Sequence, residues 1–293
     1  TYQYGIRPQS LERIIQCMNV IGPWYLLDVI IHVFQDGFHL NTLDIYLSSY
    51  KSLDPNVAFK EILVTLIDRL SSFAQRKEVD LSKLSLEDTE KKEEKTEQEA
   101  AGQAGAAPKE SNGSSLNLFE KIWFYILEID ETNVFTIQEL NELLESIANL
   151  SLVYYPDDYE NIEKIMKFAS DRLEELGETN DDENNFQGFL LAPVNYYATT
   201  KKYLSILKFT SLEKLLNLQP SKTQRLISTK ILNNFLNLRI KINNLENLET
   251  IPNLLKNLYA SNDPSQKTND SLAKLFHLVH HTHPQTHSEL LVT

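Results

Sequence analysis

The sequence predicts an all-α fold in which antiparallel helix pairs stack into an α-solenoid. Three observations carry that prediction. Apolar residues recur at three- and four-residue spacing, in Leu26, Ile30 and Phe34 and again in Leu63, Leu66, Ile67, Leu70 and Phe73, which is the stripe of an amphipathic helix. Only 8 glycines and 10 prolines occur in 293 residues, too few for the many tight turns of a strand-rich fold. Clear period-two segments are missing. Helices this numerous, with no cofactor site to organise them, bury their apolar faces most simply on neighbouring pairs. A compact all-α bundle is the alternative.

The first block, residues 1–77, is expected to be a helical-repeat segment. Pro8 and Pro23 stand where helices start, because proline suits the first turn and breaks the interior. Asp54 before Pro55 is a further start signal, its carboxylate able to accept from exposed helix N–H groups. Composition then changes. Residues 87–115 contain no Val, Ile, Leu, Met, Phe, Trp, Tyr or Cys, so they cannot bury enough apolar surface to offset their ordering entropy. Residues 78–115 are therefore read as a disordered acidic, low-complexity insertion.

The second block, residues 116–293, reads as a continuing helical-repeat segment of the same solenoid. Phe119, Ile122, Trp123 and Ile126 form one bulky apolar face. Thr136 and Glu139 fit a capping box, ahead of a stripe through Ile137, Leu140, Leu143, Leu144, Ile147 and Leu150. Pro156 and Asp157 interrupt, a helix through Ile162, Ile165, Met166 and Leu173 follows, and Gly177 reads as its stop. Residues 178–185 are expected to be a mobile acidic loop. Pro193, Pro220, Pro252, Pro264 and Pro284 are expected to punctuate the remainder into helices.

Composition narrows the function. With 41 acidic and 28 basic residues the formal charge is −13, which repels nucleic-acid phosphates and anionic lipids. Basic groups are short, such as Lys201-Lys202, so no nucleic-acid partner is expected. Cys17 is the single cysteine and reads as a buried small hydrophobe of an intracellular protein. Apolar runs are too short to span a bilayer and no signal peptide is visible, so a cytosol-facing location is the default expectation. Residues 283–293 begin what reads as a new helix and stop before it can bury a face, as a solenoid fragment would.

Candidate chemistry is sparse. His277, His280, His281, His283 and His287 cluster near the end of the chain. His277 and His281 have i,i+4 spacing, but the HExxH arrangement is absent, and spacing alone favours surface and packing histidines over a metal site. Glu174-Glu175 and Asp181-Asp182-Glu183 read as solvated loop charges. Phosphate-cradling glycine motifs and a nucleophile elbow are missing. No catalytic, cofactor-binding or metal residue is assigned, no cofactor is implied, and the chain is not expected to be an enzyme. Trp24, Tyr25, Trp123, Phe124 and Tyr125 can anchor a partner but at helical spacing read as core. Tyr154-Tyr155 and Tyr196-Tyr197 each point adjacent rings apart, placing at least one of each pair at a surface. Which ridge binds a partner is not readable.

Several pieces share order and spacing with a known family. Residues 11–40, ending IIHVFQDGFHL, the pieces at 67–70 (IDRL) and 73–76, residues 150–164 around Tyr155-Pro156-Asp157, residues 193–197 with 204–209, and residues 275–278 together resemble the vacuolar protein sorting-associated protein 35 family. That family is the large α-solenoid subunit of the retromer complex. The resemblance implies a HEAT-like α-solenoid and a central fragment, because the amino-terminal PRLYLL motif has no counterpart and the half that wraps a phosphoesterase-like subunit is mostly missing. It implies a coat scaffold that retrieves transmembrane cargo from endosomes to the Golgi or plasma membrane. The implied partners are arrestin-like and phosphoesterase-like subunits, with sorting nexins and cargo tails as further ones. Membrane association would be indirect, peripheral on the cytosolic face of endosomes. The competing readings are an unrelated helical-repeat adaptor or transport receptor, and a metal-dependent enzyme using the carboxy-terminal histidines.

Overall fold

The computed structural model describes residues 31–32, 39–40, 42–50, 59–75, 117–132, 135–177, 184–240, 245–259, 269–275 and 277. The chain forms two compact units, Thr1–Val134 and Phe135–Thr293. Every described element is a helix, so the architecture is all-α.

In the first unit, α1 spans Leu43–Tyr50, α2 Phe59–Gln75 and α3 Leu118–Thr132. The stripe read from sequence in α2 is buried at Leu63, Leu66, Ile67 and Leu70, while Phe73 is half-buried. Asn117 starts α3: its Oδ1 accepts from Glu120 N at 2.8 Å, and Glu120 Oε2 accepts from Asn117 N at 3.2 Å. This reciprocal pair satisfies two otherwise orphaned donors. Phe119, Ile122, Trp123 and Ile126 are buried as one face, with the Phe119 and Trp123 rings stacked at 6.1 Å. Lys121 Nζ meets Asp44 Oδ2 of α1 at 2.9 Å.

The second unit contains α4 (Ile137–Tyr154), α5 (Tyr159–Leu176), α6 (Gln187–Thr199), a 3₁₀ helix (Tyr203–Lys208), α7 (Leu212–Asn217), α8 (Ser221–Leu238) and α9 (Leu245–Tyr259). The capping box at α4 is formed in both directions. Thr136 Oγ1 accepts from Glu139 N at 3.2 Å, and Glu139 Oε2 accepts from Thr136 N at 2.8 Å. Leu140, Leu143, Leu144, Ile147 and Leu150 are wholly buried. The turn through Pro156 and Asp157 is short, so α5 returns antiparallel. Asp158 Oδ1 caps α5 by accepting from Glu160 N. Gly177 closes it at φ 76, a left-handed conformation that costs glycine little.

Packing follows two rows. Helices α4, α6 and α8 lie side by side in one, and α5, α7 and α9 follow each other in the second. The α4–α5 and α8–α9 pairs join the rows, and the 3₁₀ helix packs on α6. Each helix from α4 to α9 therefore touches the helix two along, and the α4–α5 and α8–α9 pairs also touch in sequence, which is the contact pattern of an α-solenoid of stacked antiparallel pairs.

Several junctions in this apolar stack also carry a polar key. Asn141 Oδ1 on α4 accepts from Phe189 N on α6 at 3.0 Å. Gln219 Oε1, buried before α8, accepts from Phe186 N at 2.7 Å. Asn234 Nδ2 on α8 donates to Val194 O on α6 at 3.4 Å, and Ser228 Oγ donates to Leu254 O on α9 at 2.7 Å. On the second row, Glu163 Oε1 of α5 accepts from Ser211 N at 2.8 Å, Ser211 Oγ at 2.6 Å and Thr210 Oγ1 at 2.5 Å, binding the entry of α7.

Two proline expectations need correction. Pro220 does precede α8, but Pro193 lies inside α6 and Pro252 inside α9. A proline in a helix interior forfeits one hydrogen bond and crowds the preceding turn. The compensation is packing: Pro193 is buried in a helix held between α4 and α8. Glu174 and Glu175 are likewise in the last turn of α5 rather than a loop, and Glu174 Oε2 meets Lys214 Nζ at 3.0 Å. The insertion at 78–115, acidic residues 178–183, Asp54-Pro55, Pro264 and Pro284 lie outside the described residues.

Candidate partner-docking edge

The chemistry-bearing surface of the second unit is the edge where two turns meet. The α4–α5 turn supplies Tyr155, Pro156 and Asp157, and the turn after α6 supplies Thr200, Lys201 and Lys202. Both turns are fixed to each other. Lys202 Nζ sits 2.8 Å from Asp157 Oδ1, and the Tyr197 hydroxyl donates to Pro156 O at 3.5 Å. Lys201 adopts φ 59, a strained value for a side chain with a Cβ, which turns the chain sharply into the 3₁₀ helix.

Tyrosines line this edge. Tyr197 is buried and packs edge-on against Tyr196, with centroids 5.3 Å apart and planes at 83°. Tyr159 stands between them and the next rung, 6.2 Å from the Tyr197 ring and 6.0 Å from Phe209. Its hydroxyl shares a 3.1 Å hydrogen bond with Ser205, and Lys208 Nζ lies 4.2 Å from its ring centre, within cation–π range. Tyr154, Tyr155, Tyr159 and Tyr196 stay partly exposed, as adjacent rings on diverging directions predict. Such rings combine a large apolar area, a hydrogen-bonding tip and few rotatable bonds, so they bind a partner at low ordering cost.

Burial pushes the hydroxyls of Tyr197, Tyr203 and Tyr125 well above the ordinary tyrosine value of 10.0. Burial also raises Tyr196, with Lys202 opposing and Asp157 adding to the effect. The hydrogen bond to Asp157 raises Lys202. The neutral tyrosine form is the one the fold holds. Its contribution to stability is complete below the unfolded value of 10.0 and is lost as pH rises from there toward the folded values. Base titration followed by tyrosinate absorbance and circular dichroism is therefore expected to show part of the absorbance rising only together with loss of helix, above pH 10.0. Titration of every tyrosine at the ordinary value with helicity intact would contradict the buried-hydroxyl assignment.

The other residues singled out from sequence are placed as follows. Trp123 and Tyr125 are core, while Phe124 between them is 54% exposed. His277 is exposed; His280, His281, His283, His287, Cys17, Trp24 and Tyr25 lie outside the described residues. Among the described residues no group of three or more His, Cys, Asp or Glu side chains could hold a metal ion, and no helix is long and apolar enough to cross a membrane.

The Tyr155-Pro156-Asp157 turn and the Pro193–Tyr197 piece, both among the residues that carry the family resemblance, thus meet at one edge. Comparison with known proteins points the same way over the full length. The family profile described as vacuolar protein sorting-associated protein 35 matches residues 1–293. The protein of that name from Dictyostelium discoideum is 26% identical over 87% of this chain and 30% of its own length. Vacuolar protein sorting-associated protein 35A of Arabidopsis thaliana is 24% identical over 97% of the chain and 34% of its length. The 35C protein of the same plant reaches 41% over 73 residues, 25% of the chain. The chain spans about a third of the length of the curated relatives it matches along most of its length. With a family match over all 293 residues and the stacked-pair helical architecture that the resemblance implied, the chain belongs to the vacuolar protein sorting-associated protein 35 family.

Proposed function

We propose that this chain is a central scaffold segment of the retromer coat, acting by protein–protein contact and not as an enzyme. The intact scaffold would retrieve transmembrane cargo from endosomes to the Golgi or plasma membrane, from the cytosolic face and without inserting in the bilayer. Arrestin-like and phosphoesterase-like subunits would sit toward the ends of the full protein, with sorting nexins and cargo tails as further partners. Residues 1–77 and 116–293 are proposed as one solenoid, interrupted by 78–115 and by the acidic loop at 178–185.

The observation that supports this best is the family match over every residue of the chain. The segment's contribution would be mechanical: rows whose contacts are local set a spacing and a curvature while still flexing. The test is an internal deletion of residues 135–259 from the full-length scaffold in cells. Both end-bound subunits should still co-purify, while a transmembrane cargo reporter should be missorted to the degradative compartment. Normal recycling of the reporter by the shortened scaffold would sink the reading.

A further inference from the structure

The charge of the second unit is segregated. The whole chain carries −13, yet between Glu213 and Glu246 there is no acidic residue, and Lys214, Lys222, Arg225, Lys230, Arg239 and Lys241 fall in that stretch. Helix α8 occupies most of it. Its inner face, through Thr223, Ile227, Ile231 and Phe235, is buried. Its outer face is a continuous exposed stripe through Lys222, Arg225, Leu226, Lys230 and Asn233, at the three- and four-residue steps that share one side of a helix.

Lys222 and Lys230 find no stabilising role within the helix itself. Its first turn contains Lys222 and no acidic residue, the sign that the helix dipole disfavours at that end. No carboxylate on α8 offers an i,i+4 partner. A single-sign stripe on a protein of the opposite net charge is instead a complementary surface for an anion.

We infer that the outer face of α8 docks an acidic polypeptide segment, one rich in Asp and Glu, of a partner protein. The alternative anion of comparable size, a lipid surface, fits less well. Helices that lie on membranes bury an apolar face in the lipid, whereas the apolar face of α8 is committed to the protein core and its exposed stripe offers Leu226 alone among the described apolar side chains along its middle. Thr229 and Asn233 on that stripe can hydrogen-bond to a peptide.

The inference holds independently of the coat reading, because it concerns binding by this chain alone. The experiment is fluorescence anisotropy of the 293-residue chain with a labelled Glu/Asp-rich peptide, beside its Gln/Asn counterpart and phosphatidylserine vesicles. The acidic peptide should bind, the neutral one should not, and affinity should fall with added salt. Lys222→Glu with Lys230→Glu should weaken binding by about tenfold or more. Lys222→Gln with Lys230→Gln should give a smaller loss at unchanged helicity, which separates docking from folding. Lys164→Glu with Lys167→Glu on α5 makes the same change in net charge and should leave affinity within about twofold. Equal weakening by the α5 pair, no effect of either α8 pair, or binding of the vesicles without the peptide would each overturn the assignment.

Discussion

Replacing Phe235 by alanine is expected to destabilise the second unit by about 3–5 kcal/mol. The ring is 1% exposed and meets Tyr203 edge-on at 5.0 Å, with planes at 78°. It sits where α8 and the 3₁₀ helix converge, beside Asn234, whose Nδ2 reaches both Val194 O and the Tyr203 hydroxyl. Truncation therefore removes buried apolar area and leaves a cavity that two polar bonds hold open, which is the costly combination. In a thermal melt the midpoint should fall by on the order of ten degrees. Leu238→Ala, at an exposed position of the same helix, should change it by less than about 0.5 kcal/mol. Similar losses for both would mean that the 3₁₀ helix does not pack on α8 as described.

The second large effect is expected at Glu163. One carboxylate oxygen accepts all three hydrogen bonds from Thr210 and Ser211, and the backbone N–H of Ser211 has this charge as its partner at the start of α7. Removing the side chain by Glu163→Ala should cost about 2–3 kcal/mol, because charge-assisted bonds are the strong ones and a part-buried donor is stranded. Glu163→Gln keeps an acceptor without the charge and should recover roughly half. Urea denaturation of the three proteins would measure this. A glutamine variant no better than alanine would show that the geometry at α7 depends on the charge alone.

Neither effect was visible in the sequence, although most of the helices were. The start of α4 was legible because Thr136 and Glu139 solve a local problem, the orphaned N–H groups of one helix end. The apolar stripes at 137–150 and 162–173 were legible because burial follows the 3.6-residue period. Gly177 was legible because its conformation is one that other residues avoid. What escaped was long-range. Phe186 gives α6 no side-chain cap of its own; Asn141 and Gln219, distant in sequence, supply acceptors instead. Packing between α4 and α8 lets Pro193 sit inside a helix, and Pro252 also stands inside one, so proline counted as punctuation misplaced two boundaries. The basic face of α8 was hidden for a different reason. Lys222, Arg225 and Lys230 are separated by neutral residues, and only folding at helical spacing gathers them. A running count of acidic residues would have exposed the gap between Glu213 and Glu246.

The polar keys between neighbouring helices have a consequence for how force passes through the stack. Two greasy helices can shear past each other by a turn and still bury similar area. A slip of that size at α8 would strand Asn234 and Ser228 away from Val194 O and Leu254 O, each an amide or hydroxyl left dry. Small tilts, by contrast, lengthen those bonds only slightly. The unit is therefore stiff to sliding and compliant to bending, like a stack of notched leaves. Load applied at one end would be stored as distributed curvature and returned elastically, with the register of every rung intact.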